Sequence, residues 1–191
     1  MQHVSDATFD DFVQWYLERE VRNESRKGRR EDEKKALSGT PDKQREVMQE
    51  RHGGKLRDWF EQARWSIQLL TAPAELECLM ILKKQTWDGI TWPMPRLLGE
   101  AANRIRQERY FDPPGNDNWG VNYIALRDHR LLLQGKERLV LITPSEAEMR
   151  EEPSTTFYLH DGLGRALPYL AVVMETSTCF CPVEAFIAKE R

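Results

Sequence analysis

Hydrophobic positions near the start of the chain recur with helical spacing. Phe9, Phe12, Val13, Tyr16 and Leu17 follow an i, i+3, i+4, i+7, i+8 pattern, the apolar stripe of one helix. Thr8 can cap that helix, with Asp11 three residues on. The pattern then lapses. Residues 22–51 hold almost no large apolar side chains and include Arg26-Lys27-Gly28-Arg29-Arg30-Glu31-Asp32-Glu33-Lys34-Lys35, with a break at Ser38-Gly39-Thr40-Pro41-Asp42. Such a stretch has no face to bury and reads as a charged arm: a solvated helix, a mobile loop or a disordered segment. Beyond His52-Gly53-Gly54, the spacing of Leu56, Trp59, Phe60, Ala63 and Ile67 predicts an amphipathic helix ending near Leu70. Pro73 opens another, with Leu76, Leu79, Met80 and Leu82 as its buried face and Cys78 among them as an inert thiol. Leu97, Leu98, Ala101 and Ile105 mark a further helix from Arg96 to Tyr110. The first 110 residues are therefore expected to be helical.

Asp112-Pro113-Pro114-Gly115-Asn116-Asp117-Asn118 is the clearest boundary in the chain. It separates a helical region, 1–111, from a second unit, 119–191. Val121 to Leu133 suits helix or strand, and Gln134 to Glu137 turns the chain. Leu139 to Ile142 reads as a buried strand. Thr143-Pro144-Ser145-Glu146 reads as a helix start, with Thr as cap, Pro at the first position and Glu at the third. Thr155 to His160 is a second strand, Ala166 to Met174 a helix that Pro168 bends or delays, and Val183 to Ile187 a closing strand. The expected fold class is α+β.

Composition narrows the class. The chain has 191 residues, 40% of them hydrophobic and 31% charged, which suits a folded domain with a highly charged surface. No run of eighteen apolar residues offers a membrane span, and the N-terminal residues lack a signal pattern. Three cysteines, with Cys78 far from Cys179 and Cys181, do not form a disulfide framework, and a cytoplasmic location is expected. The net charge of -3 does not mark the whole chain as a polyanion binder. Charge is uneven, though. From Arg22 to Asp58 twelve Lys/Arg face eight Asp/Glu, a local +4, and from Thr143 to Arg191 four face eight, a local -4.

The most informative run is Phe157-Tyr158-Leu159-His160-Asp161-Gly162-Leu163-Gly164-Arg165-Ala166-Leu167. It reads as a strand, a glycine bend and a helix start. Free N–H groups at a helix start favour an anion, and the backbone of Gly162, Leu163 and Gly164 can offer them. Arg165, one turn in, adds a planar fork for phosphate oxygens. Asp161 at the strand end can cap the helix, hold a metal or act as a base. Asp-Gly after a strand is also an ordinary turn. A bend sealed under neighbouring side chains, with Arg165 tied up in an internal carboxylate pair, would overturn the phosphate reading.

Other chemistries fit less well. Gly162-x-Gly164 lacks the third glycine of a dinucleotide fingerprint. His160-Asp161 has no partner histidines at metal spacing, Cys179-Phe180-Cys181 is a single CxC, and no Gly-x-Ser-x-Gly elbow exists.

The second half resembles the ParB/sulfiredoxin-like superfamily. The resemblance runs through the turn at Gly135, the strand Leu139 to Ile142, the box Asp161-Gly162-Leu163-Gly164-Arg165-Ala166, and the closing strand Val183-Glu184-Ala185-Phe186. It implies a mixed sheet and a box that binds nucleotide phosphates, ATP or another nucleoside triphosphate. Leu163 stands where sulfiredoxins carry a catalytic Cys, and Gly164 where the family usually has His, so sulfiredoxin chemistry is not expected. In length and layout the chain is similar to the plasmid fertility-inhibition (oncogenic-suppression) proteins. That likeness implies nucleotide hydrolysis, DNA cleavage and a protein partner in a type IV DNA-transfer machinery. In this reading Asp161 and Arg165 are catalytic, and Gly162, Leu163, Gly164, Arg165, Lys136 and Arg138 bind the nucleotide. Asp161 and Glu146 hold Mg²⁺, and Arg26, Lys27, Arg29 and Arg30 contact DNA. The rival expectation is a non-enzymatic interaction or DNA-binding module in which the turn is structural.

Overall fold

The computed structural model describes residues 1–22, 31–82, 96–107, 137–144, 156–175 and 180–190. Among them are strands β1 (Gln2–Ala7), β2 (Arg64–Leu70), β3 (Met80–Ile81), β4 (Leu139–Ile142), β5 (Tyr158–Asp161) and β6 (Val183–Lys189). The helices are α1 (Phe9–Arg22), α2 (Glu31–Leu37), α3 (Pro41–His52), α4 (Pro73–Glu77), α5 (Leu98–Gln107) and α6 (Leu163–Glu175). Two 3-10 turns, Gly53–Lys55 and Phe60–Gln62, join α3 to β2.

The strands form one mixed sheet in the order β1-β2-β6-β4-β5-β3. β2 lies antiparallel to β1 and β6, β4 is parallel to β6 and antiparallel to β5, and β3 is parallel to β5. Period-2 alternation sends side chains to two buried faces. Val183, Ala185 and Ile187 join Leu139 and Leu141 in one core, which α4, α5 and α6 cover. Phe186 and Ala188 join Val140 and Ile142 in the other, beneath α1, α2 and α3. The result is a three-layer sandwich with helices on both faces of the sheet.

α1 forms as its pattern predicts. Thr8 Oγ1 accepts from Asp11 N–H at 3.2 Å, and Thr8 N–H donates back to the Asp11 carboxylate at 2.7 Å, a reciprocal cap. The apolar stripe lies on an aromatic floor, with Phe12 stacked on Trp65 at 4.9 Å and edge-on to Phe60 and Phe186 at 6.0 Å.

Several expectations are corrected. The first 110 residues are not wholly helical: β1, β2 and β3 lie among them. The expected helix from Leu56 to Leu70 is a 3-10 turn followed by β2. Arg64, Ser66 and Gln68 alternate there with Trp65, Ile67 and Leu69, and pairing along the whole of β6 selects that period. The helix at Pro73 stops at Glu77, and Met80 and Ile81 leave it as β3. Cys78 caps its end in an exposed position and is not part of a buried face. α2 and α3 belong to the fold: Ala36, Val47 and Met48 are buried against α1, and Arg45 holds Asp10 at 2.6 Å. β1 and β2 share one sheet with β4, β5 and β6, so the boundary at 112–118, itself outside the described residues, does not divide two separate sheets. α6 starts at Leu163, earlier than expected, and carries Pro168 within it. The expected helix start at Thr143–Glu146 lies largely outside the described residues.

Truncating Phe12 removes a ring that faces both Trp65 and Phe186. Phe12→Ala is expected to lower unfolding free energy by about 3–5 kcal/mol, read from the midpoint shift in urea denaturation.

Candidate functional site

Strand β5 carries the site because of an irregularity in its pairing. Leu141 opposes Leu159, but Val140 opposes Asp161, so His160 is an extra residue against β4. Such a bulge re-aims the side chains beside it. Asp161 thereby opposes Val140, a residue of the α1–α3 face, and its side chain meets α1 and the turn after α3.

There Asp161 is 10% exposed and gathers three cations from three elements. Arg19 of α1 donates through Nη1 at 2.5 Å, Lys55 of the 3-10 turn through Nζ at 3.0 Å, and Arg165 of α6 through Nη2 at 3.2 Å. Burial alone would push the Asp161 carboxyl up. The charges of Arg165, Arg19 and Lys55 outweigh it and hold the group well below the usual carboxylate range. Burial likewise works against the Arg19 charge, and Asp161 more than restores it. Arg19 also donates to Glu20 at 3.0 Å and lies over the Tyr16 ring at 4.2 Å.

His160 holds the turn from its other end. Its Nε2 stands 2.8 Å from the Lys55 carbonyl oxygen, which can only accept, so Nε2 carries the hydrogen. Burial lowers the His160 pKa, and its ring packs edge-on to Phe60 at 5.1 Å. The neutral imidazole is therefore the form that suits this place.

Gly162 is required by packing. Its φ is +107°, and a Cβ would stand 2.6 Å from Leu139 Cδ2 and 3.0 Å from Arg165 Nη2. Gly162 and Leu163 are buried, with Leu163 in the core beneath α6. The Gly162 carbonyl accepts from Arg165 and Ala166 at 2.9 and 2.8 Å, which closes the first turn. The amides of Leu163 and Gly164 meet no acceptor among the described residues, as the first amides of an uncapped helix do. Arg165 is 23% exposed and also donates to the Arg138 carbonyl at 3.1 Å. Its Nε is shut off from solvent without a hydrogen bond, and Glu137 stands 3.6 Å away.

Much of the condition that speaks against the phosphate reading is met: Gly162 and Leu163 are buried and Arg165 pairs with Asp161 and Glu137, while the Leu163 and Gly164 amides meet no acceptor among the described residues. Asp161, Gly162, Leu163, Gly164 and Arg165 are consecutive and form the bend from β5 into α6. Arg138 joins them through its carbonyl alone, because its side chain pairs with Glu184 at 2.7 Å and lies over the Phe186 ring at 5.1 Å. Lys136, Glu146, Arg26, Lys27, Arg29 and Arg30 lie outside the described residues. Among the described residues no group of three His, Cys, Asp or Glu side chains gathers as a metal site. Asp161, ringed by three fixed cations, does not fit Mg²⁺.

Arg19 and Lys55 were missed in the sequence, although each left a trace. Arg19 stands seven residues after Phe12, on the apolar face of α1, where an arginine is out of place unless paired. Lys55 follows two consecutive glycines.

No family model matches this chain, and no curated protein or solved structure matches it.

Asp161→Asn would leave three cations facing an amide. A loss of about 3–5 kcal/mol in unfolding free energy is expected near neutral pH. The folded pKa is depressed, so the carboxylate's contribution is present above the unfolded pKa and is lost as pH falls. Urea titrations from pH 7 to 3 should show the gap between wild type and variant narrowing below about pH 4, by roughly 1.4 kcal/mol per pH unit. A gap independent of pH would contradict this.

Proposed function

We propose that the chain binds a phosphate-bearing nucleotide at the bend between β5 and α6. One observation carries the reading: the Leu163 and Gly164 amides, which meet no acceptor among the described residues, stand at the positive end of α6 beside Arg165 and the other cations around Asp161. Amides left open at a helix start, where the helix dipole is positive, favour a bound anion. Asp161 acts as the fixed anion that arranges Arg19, Lys55 and Arg165. It stays ionised and takes up no proton, so general-base chemistry is not assigned to it.

The run β4, β5, glycine box, α6, β6 supports a ParB/sulfiredoxin-like arrangement, with β4 beside β6. That arrangement suggests ATP or another nucleoside triphosphate as ligand, and a cytoplasmic role in restraining plasmid DNA transfer as its setting. Among the described residues no helix is long and apolar enough to cross a membrane. Hydrolysis of the nucleotide and cleavage of DNA rest on the resemblance alone, because the residues at Asp161 do not fit the metal such steps use.

A second reading is a non-enzymatic interaction module with a structural turn. The contacts of Arg165 with Asp161 and Glu137 favour it.

Thermal unfolding separates the two. ATP at a hundred times its Kd should raise the wild-type Tm by about 5–10 °C. Arg165→Ala should abolish the shift, and Arg165→Lys should keep part of it. A wild-type Tm unmoved by every nucleoside triphosphate leaves the interaction module as the function.

A further inference from the structure

We infer that Lys55 is a phosphate ligand of this site and that His160 is the residue that positions it. The inference rests on the nucleotide reading and goes beyond the glycine box, since both contacts come from the turn after α3. Three features of Lys55 carry it. Its side chain is 44% exposed, whereas that of Arg19 is 10% exposed, so the ammonium faces solvent while touching Asp161. An ammonium has three donors, and among the described residues Lys55 Nζ meets one acceptor, Asp161 Oδ1 at 3.0 Å. Lys55 and Arg165 share the Asp161 carboxylate, one on each oxygen, so both cations stand within bridging range of one phosphate group.

Both residues of the β5 bulge serve that one lysine. Asp161 holds its ammonium, and His160, 94% buried, fixes its backbone through the Lys55 carbonyl. The turn between them needs such fixing. Gly53 and Gly54 precede Lys55, and a Cβ on Gly54 would meet nothing within 4 Å, so no side chain packs that residue. The bulge thus sets the Lys55 ammonium beside the first turn of α6. A ligand phosphate there exchanges part of the Asp161 contact for its own oxygens.

Calorimetric titration of the full chain with ATP tests this, with inorganic triphosphate as the probe free of base and sugar. Lys55→Ala should weaken both about ten- to a hundredfold, and Lys55→Arg much less. His160→Ala should weaken both about two- to tenfold, and His160→Gln, which keeps an N–H for the carbonyl, should recover most of that loss. In the double variant the His160 effect should vanish, since it acts through Lys55. Circular dichroism checks that each variant is folded, and Lys55→Ala, at a half-exposed position, carries the test if His160→Ala does not fold. Wild-type affinity in Lys55→Ala, or independent losses in the double variant, overturns the inference while leaving the nucleotide reading intact. Absence of binding by wild type overturns both.

Discussion

A carboxylate withdrawn from water is tolerated only where positive charge and hydrogen bonds surround it. Asp161 meets that condition with contacts that reach across the chain. Arg19 lies 142 residues before it, Lys55 106 residues before it, and Arg165 on the next turn of chain. One residue therefore ties α1, the turn after α3 and α6 to the end of β5. Removing any one cation leaves the others to answer a charge that cannot escape to solvent. The same charge keeps three basic groups close together where, alone, they would repel.

This arrangement depends on the sheet. β6 is its hub, paired along its length with β2 and from Ala185 to Ala188 with β4, and its alternation feeds both cores. Against that regular frame the extra residue at His160 stands out. Without it, strict alternation would give Asp161 the same facing as Leu159, which lies in the core under α4, α5 and α6. The bulge brings Asp161 instead to Arg19 and Lys55. A local departure from strand geometry thus decides where the charge goes, and Gly162 then turns the chain sharply enough for Arg165 to come back on it.

Much of this was legible in the sequence where a local rule acted alone. The cap and stripe of α1, the strands β4, β5 and β6, and the grouping of Asp161, Gly162 and Arg165 follow from short-range patterns. β2 was not legible because its residues satisfy two periods. Trp59, Phe60, Ala63 and Ile67 suit a helix, Trp65, Ile67 and Leu69 suit a strand, and pairing with β1 and β6 chooses. α2 and α3 were read as a solvated arm because they bury little beyond Ala36, Val47 and Met48. The ion pairs of Arg45 with Asp10 and Arg51 with Asp32, and the hydrogen bond between His52 and Glu33, also hold them, and no period reports these. The site was half legible for the same reason: the glycine box is contiguous, while Arg19 and Lys55 reach it only through the fold.

The central claim is that the first turn of α6 offers open amides to an anion that Arg165 and Lys55 also meet. Amide chemical shifts in a titration of the ¹⁵N-labelled chain with ATP report on those amides directly. The account predicts that the Leu163 and Gly164 resonances move most, saturably, with smaller changes at Lys55 and Arg165. Saturable binding that leaves Leu163 and Gly164 unmoved would contradict it.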